Sequence, residues 1–180
     1  MKLFEKQIDS CSVFEGRVIK VRKDTVELPN GATGYREVVA HPGAVAVLPI
    51  DEKGNAVLVR QYRYAMGEEL LEAPAGKLEK GEDPLECAKR ELSEETGCTA
   101  GQMIKLGCIY SSPGFTNEKL HLYLALDLTK GEASPDEDEF LNTELMALEE
   151  LRRLVIAGEI HDSKTVAIVL LAWEHLKGER

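Results

Sequence analysis

Residues 76–98, GKLEKGEDPLECAKRELSEETGC, constrain this chain more than any other stretch. The local signals predict a short helix. Asp83 is a good N-cap, Pro84 suits the first helical position, and Glu86 falls three residues after the cap. Gly97 is placed to stop the helix. Leu85, Ala88 and Leu92 recur at helical spacing and give it a side for the core. Glu91, Glu94 and Glu95 then stand at i, i+3 and i+4 and share another face. Three like charges repel there, and no lysine on the next turn relieves them. A run of glutamates is ordinarily a solvated surface, but this spacing asks for a bound divalent cation.

All the clustered groups are carboxylates, and no histidine or cysteine is spaced to join them. Oxygen-only sites select hard cations, so Mg2+ is expected, with Mn2+ as a substitute, rather than zinc or copper. Magnesium held by a few carboxylates takes its remaining ligands from water and substrate phosphates. The pattern therefore points to phosphate chemistry.

The fixed residues are Gly76, Glu82, then Arg90, Glu91, Leu92, Ser93, Glu94, Glu95, Thr96 and Gly97, followed by the small apolar Cys98. This resembles the signature box of the Nudix hydrolases. It departs only at Cys98, where that family carries a larger aliphatic residue. So many fixed positions over one short stretch are far more specific than a lone glycine motif. The resemblance implies Glu91 and Glu95 as principal metal ligands, with Glu94 assisting there and in catalysis, and the backbone carbonyl of Ala75 contributing. Glu82 would ligate a metal or brace the loop of the box. Arg90 would pair with a box carboxylate rather than contact phosphate.

The 180 residues are enough for one domain, or one domain with a small appendage. Net charge is −10, which argues against a nucleic-acid surface but not against a small anionic substrate beside a metal. No apolar run is long enough to span a membrane, and MKLFEKQIDS lacks the apolar centre of a signal peptide, so a cytoplasmic protein is expected. Cys11, Cys87, Cys98 and Cys108 form no CxxC pair and read as reduced, mostly buried thiols. His41, His121, His161 and His175 are dispersed and read as structural or surface residues.

Residues 1–40 read as an N-terminal antiparallel β-segment, with short strands at 17–21, 24–28 and 35–40 and a turn at 29–31. Such strands have too little apolar surface to stand alone. Residues 41–180 read as the main domain. GAVAVLPI (43–50) and AVLVRQYR (56–63) suit core strands, joined by a turn at 51–55. Further strands are expected at 70–73, 106–110, 119–128 and 143–147, with helices at 149–157 and 163–176. Asp162 or Ser163 would cap the last helix, and Val166, Val169, Leu170 and Trp173 would form its buried face. Strands flanked by helices in this order predict an α/β/α sandwich with a mixed sheet, and the Nudix resemblance implies the same fold.

Outside the box, Pro113 lies 16 residues after Gly97. With REVVAHPGAV (36–45), ELLEAPAGKLEKG (69–81), GRVI (16–19) and LPNG (28–31), it is similar to the ADP-ribose pyrophosphatase branch, over about residues 14–175. That branch implies cleavage of ADP-ribose to AMP and ribose 5-phosphate, with Arg36 and Arg63 contacting substrate and Glu72 near its ribose. It also implies a catalytic base on a loop beyond the box. The acidic run 136–139 matches that loop, with Glu137 as first candidate and Glu139 as second. A homodimer through the N-terminal strands is implied, in which Arg17 or Arg36 could reach the other subunit's site. A pyrophosphohydrolase of GDP-mannose or NADH would share the metal site. A non-catalytic ADP-ribose sensor would be expected to lose box carboxylates, and this chain keeps them.

Overall fold

Alternation along two neighbouring strands sets the architecture. β4 (Ala44–Pro49) and β9 (Lys119–Lys130) pair in parallel, from Ala44 opposite Leu120 to Pro49 opposite Ala125. Ala44, Ala46, Leu48, Leu120, Leu122 and Leu124 enter one core cluster, while Val45, Val47, Tyr123 and Ala125 enter another. A strand covered on both faces needs apolar residues at every position, which is why 43–50 reads as an unbroken apolar run. In the computed structural model, which describes residues 3–135 and 139–178, three helices provide the cover. Cys87, Ala88 and Leu92 of α1 (Pro84–Thr96) close one face. Leu148, Leu151 and Val155 of α2 (Leu148–Ala157) and Ile168, Val169 and Ala172 of α3 (Ser163–Gly178) close the other. This is the expected α/β/α sandwich.

β7 (Ala75–Lys77) lies antiparallel on the free side of β4, and β8 (Cys98–Tyr110) follows β9, so the order is β7-β4-β9-β8 and the sheet is mixed. A second sheet, antiparallel throughout, has the order β10-β5-β6, from β10 (Leu141–Ala147), β5 (Asn55–Arg63) and β6 (Glu68–Glu72). β8 is longer than the 106–110 expected because Thr99 to Lys105 mix polar and apolar residues without a readable period.

The chain divides into two units, residues 44–109 with 120–180, and residues 1–43 with 110–119. The latter unit holds an antiparallel sheet of β1 (Lys6–Glu15), β2 (Lys20–Glu27) and β3 (Thr33–Ala40). The expected strands at 17–21 and 24–28 are one strand, β2, entered from a turn that Gly16 closes by donating to the Ile19 carbonyl (2.9 Å). No turn residue interrupts Arg22 and Lys23, and Asp24 is buried, accepting from Ser10 Oγ at 2.7 Å. β1 escaped the sequence reading because all ten of its residues are exposed, so it carries no alternation. The 110–119 loop joins this unit through Val39 N–H to Phe115 O (2.7 Å) and His41 N–H to Asn117 Oδ1 (2.9 Å). All four cysteines are unpaired; Cys87 and Cys98 are buried, while Cys11 and Cys108 are exposed, fewer buried than expected.

Candidate active site

The acidic helix forms where its caps place it. Asp83 accepts from the N–H groups of Leu85 (2.9 Å) and Glu86 (3.4 Å), a cap worth about 1 kcal/mol. Gly97 closes the other end in the left-handed conformation, φ 69°, donating to the Ser93 carbonyl. Glu86 does not complete a capping box. It lies on the solvent side and pairs with Lys89 at 2.7 Å. The buried side of α1 is wider than its apolar residues alone: Glu91 and Glu95 belong to it beside Cys87, Ala88 and Leu92.

Arg90 is the counter-ion of the cluster, four residues before Glu94 on the same helix. Its Nη1 donates to Glu91 Oε1 (2.7 Å) and Glu94 Oε2 (2.9 Å). Its Nε and Nη2 donate to the two oxygens of Glu82 (3.0 and 3.1 Å). Glu82 precedes the helix and is braced by the Glu79 N–H at 2.9 Å. The Arg90 hydrogen bonds hold the Glu82 carboxyl down at about 2. One guanidinium thus orients three carboxylates, the pairing role expected of it.

Among the described residues, no arginine pairs with Glu95. It is 2% exposed and accepts from the Ala75 N–H at 2.9 Å. Burial pushes its carboxyl up to about 8, with the charges of Glu91 and Glu139 adding to the effect. Burial also raises Glu91, against the pull of Arg90. Gly76 faces Glu91 so closely that a Cβ there would overlap its carboxylate. The folded protein therefore holds protons on Glu95 and Glu91 that the unfolded chain, with carboxyls near 4.5, releases. Stability of the metal-free protein falls as pH rises through the window from about 4.5 to about 8. Calorimetry in chelator should record a Tm that declines across this window and that Mg2+ restores most at its upper end. A flat profile would mean these acids ionise without cost.

A second buried cluster lies at the N-terminus of α3. Glu72, 0% exposed, receives Arg63 Nε and Nη2 at 2.7 and 2.6 Å and also the Lys164 ammonium. Burial opposes its ionisation, yet these two cations keep its carboxyl below the ordinary value. Lys164 also meets Asp162 Oδ2 at 3.0 Å. Asp162, not Ser163, caps α3, accepting from the Thr165 N–H at 2.9 Å. On α3 the most buried apolar residues are Ile168, Val169 and Ala172, with Val166, Leu170 and Trp173 packed partly buried beside them. Arg63 and Glu72 are thus brought together, but onto each other. Nothing in the sequence marks Lys164, Thr165 or Asp162 as functional. The Asp-Ser-Lys-Thr start of a helix was visible there, but not where that helix docks.

The acidic loop is tied to the C-terminal end of α1. Ser134 N–H donates to the Glu94 carbonyl (2.9 Å) and Gly131 N–H to the Gly97 carbonyl (2.7 Å). A Cβ on Gly97 would come within 2.7 Å of the Ala133 nitrogen, so its missing side chain admits the loop as well as the cap. Glu139 is exposed, two residues before β10, and its charge is felt at both Glu91 and Glu95. Glu137 lies outside the described residues. In the N-terminal unit, Arg17 is exposed in the 16–19 turn. Arg36 on β3 donates from Nε to Glu5 Oε2 at 2.8 Å and from Nη1 to the Tyr35 carbonyl at 2.8 Å. Pro113 occupies a turn in which Phe115 N–H returns to the Ser112 carbonyl (3.1 Å).

Among the described residues, no three Asp, Glu, His or Cys side chains converge tightly enough to hold a cation as they stand. Glu91 and Glu94 are turned onto Arg90, and Glu95 onto the Ala75 N–H. The donor set nevertheless fits a hard divalent ion: oxygens only, with two buried acids whose ionisation burial opposes, and with the charge of Glu91 raising Glu95 further.

Comparison with known proteins agrees with this geometry. The NUDIX domain family matches residues 40–167, and the nucleoside diphosphate sugar hydrolase N-terminal domain matches residues 5–39. The chain is 50% identical to a methanol dehydrogenase activator of Bacillus methanolicus, over 93% of this chain and 92% of that one. It is 46% identical to an ADP-ribose pyrophosphatase of Bacillus subtilis, over 91% and 89%. The crystal structure of an ADP compounds hydrolase superposes with a TM-score of 0.87 at 26% identity, covering 97% of this chain and 95% of that one. Carboxylate helix, sandwich and family match converge: the chain belongs to the Nudix hydrolases.

Proposed function

We propose that this protein is a Mg2+-dependent ADP-ribose pyrophosphatase, with Mn2+ able to substitute. The observation that carries the reading is the pair of buried acids, Glu91 and Glu95, on a Nudix helix in a chain 46% identical to an ADP-ribose pyrophosphatase. Glu91 and Glu95, with Glu94 and the Ala75 carbonyl, would hold the metal. Bound there, it would polarise a phosphoryl oxygen, acidify a water and neutralise the leaving phosphate. Arg90 keeps Glu91 and Glu94 oriented until a cation competes for them. The acidic loop supplies the base, from Glu137 or Glu139. Glu139 is the described member whose charge is felt at the buried acids. The loop carboxylate takes a proton from water as the water oxygen bonds to phosphorus, the P–O–P bridge breaks, and AMP and ribose 5-phosphate leave. Arg17, Arg36, Arg63, Glu72 and Pro113 are the proposed substrate contacts. Arg36 would exchange Glu5 for substrate, and Arg63 would act while paired to Glu72.

A panel of ADP-ribose, ADP-glucose, GDP-mannose and NADH at equal concentration, with magnesium and then manganese, tests this. ADP-ribose should lead in kcat/KM by about 10-fold or more, and chelator should abolish turnover. A GDP-mannose or NADH preference would move the chain to a sister activity on the same metal site. The 50% identity to a methanol dehydrogenase activator favours a second reading, activation of a dehydrogenase. Adding the protein to a methanol dehydrogenase assay tests it, and no change in rate would remove it.

In this reading residues 1–40 serve dimerisation and substrate contact, residues 41–180 are the catalytic domain, and the protein works in the cytoplasm. The support for a homodimer is β1, whose Ile8, Val13 and Phe14 lie exposed on an edge strand. Light scattering at micromolar concentration should give twice the 19.9 kDa chain mass; a clean monomer would refute it.

A further inference from the structure

We propose that Thr165 is a positioning residue for the metal site, acting from the opposite helix layer through the backbone of residues 73–75. The inference rests on the metal-binding reading of Glu95 given above.

Residues 73–75 are held from three sides. Thr165 Oγ1 accepts the Ala73 N–H at 2.8 Å, a contact spanning 92 residues of sequence. The Pro74 carbonyl accepts the Val47 N–H of β4 at 2.8 Å. The Ala75 N–H reaches Glu95 Oε2 at 2.9 Å. Glu95 belongs to α1 and Thr165 to α3, helices that cover opposite faces of the sheet. The three-residue segment is where both layers meet one piece of backbone, and that backbone carries the only hydrogen bond described for the Glu95 carboxylate among the described residues.

Thr165 is built for this one orientation. It is 0% exposed, and its hydroxyl is used on both sides, accepting from Ala73 and donating to Asp162 Oδ2 at 2.5 Å. The same Asp162 oxygen takes the Thr165 N–H and the Lys164 ammonium. The acceptor is thereby fixed, so the hydroxyl proton has one place to go and its lone pair faces Ala73. Lys164 and Arg63 meanwhile hold the Glu72 carboxylate, one residue before Ala73. Valine at 165 would keep the shape and remove the hydroxyl, leaving the buried Ala73 N–H without an acceptor. A buried N–H left unpaired is costly, and a backbone shift that relieves it here moves the segment that orients Glu95. Outer partners of this kind typically alter metal affinity by about 10- to 100-fold.

The test reads metal binding in the absence of substrate. Free Mn2+ is followed by electron paramagnetic resonance as it is titrated into wild type, Thr165→Val, Thr165→Ser, Asp162→Asn, Val169→Ala and Glu95→Gln. Thr165→Val should weaken Mn2+ binding about 10-fold, and Thr165→Ser should restore it, because serine keeps the hydroxyl. Asp162→Asn, which weakens the fixed acceptor without emptying the core, should fall between them and carries the test if the valine variant does not fold. Val169→Ala makes a core cavity on the same helix and lowers Tm, but should leave the Mn2+ Kd unchanged. Wild-type affinity in both Thr165→Val and Asp162→Asn would overturn the proposal, as would equal weakening by Val169→Ala. If Glu95→Gln binds Mn2+ like wild type, the metal site itself is misassigned and the proposal falls with it. If Glu95→Gln abolishes binding and neither Thr165→Val nor Asp162→Asn changes it, the positioning role alone fails.

Discussion

Glutamine in place of Glu95 lowers turnover by about 10³-fold or more, with the fold intact. The two parts of this expectation have separate causes. A glutamine oxygen can still accept the Ala75 N–H, so the hydrogen bond that docks the side chain survives. What is lost is the anion that a cation requires. Without metal the variant should even be more stable than wild type near pH 8, because the cost of ionising a buried carboxyl is gone. Measuring AMP release alongside a thermal melt gives both quantities. A variant that turns over near the wild-type rate would remove Glu95 from the ligand set, and one that does not fold would make its role structural.

The second large effect is expected at Gly76, where alanine should cost activity through crowding rather than lost chemistry. Its Cβ would overlap the Glu91 carboxylate, while Gly76 itself pairs with Val45 across β7 and β4. Either the carboxylate leaves its place or the strand does. Overpacking of this kind costs about 1–3 kcal/mol of stability, and a ligand misplaced by about 1 Å can cost on the order of 10² in rate. Gly54→Ala is the matched control. Gly54 has φ 81° and open space around it, so alanine there meets only the left-handed backbone penalty of about 1–2 kcal/mol. Gly54→Ala should lose stability and keep its kcat; Gly76→Ala should lose both. Equal kcat in the two variants would mean that Glu91 tolerates displacement and is not held for a metal.

The features legible in the sequence are those that local chemistry decides. Asp83, Pro84 and Gly97 mark the helix ends because caps act over three or four residues. The apolar run in β4 announces a strand buried on both faces, and so two helix layers. What the sequence hides is contact over distance. Arg90 finds Glu82 eight residues away, off the helix, where no periodicity points. Lys164 and Thr165 reach residues 72 and 73 across 92 positions. β1 is hidden for the opposite reason: with every residue exposed it has no inside, and pattern reading depends on one. At the site, the acids on α1 were visible as types at a spacing. Their inequality was not, because burial separates Glu95 and Glu91 from the half-exposed Glu94.

Glu94 holds two structures with one residue. Its carboxylate lies on Arg90, and its carbonyl oxygen receives the backbone of the acidic loop through Ser134. Side-chain substitution touches the first and spares the second, so the two functions are genetically separable. The loop is moored to a peptide group that no point mutation deletes.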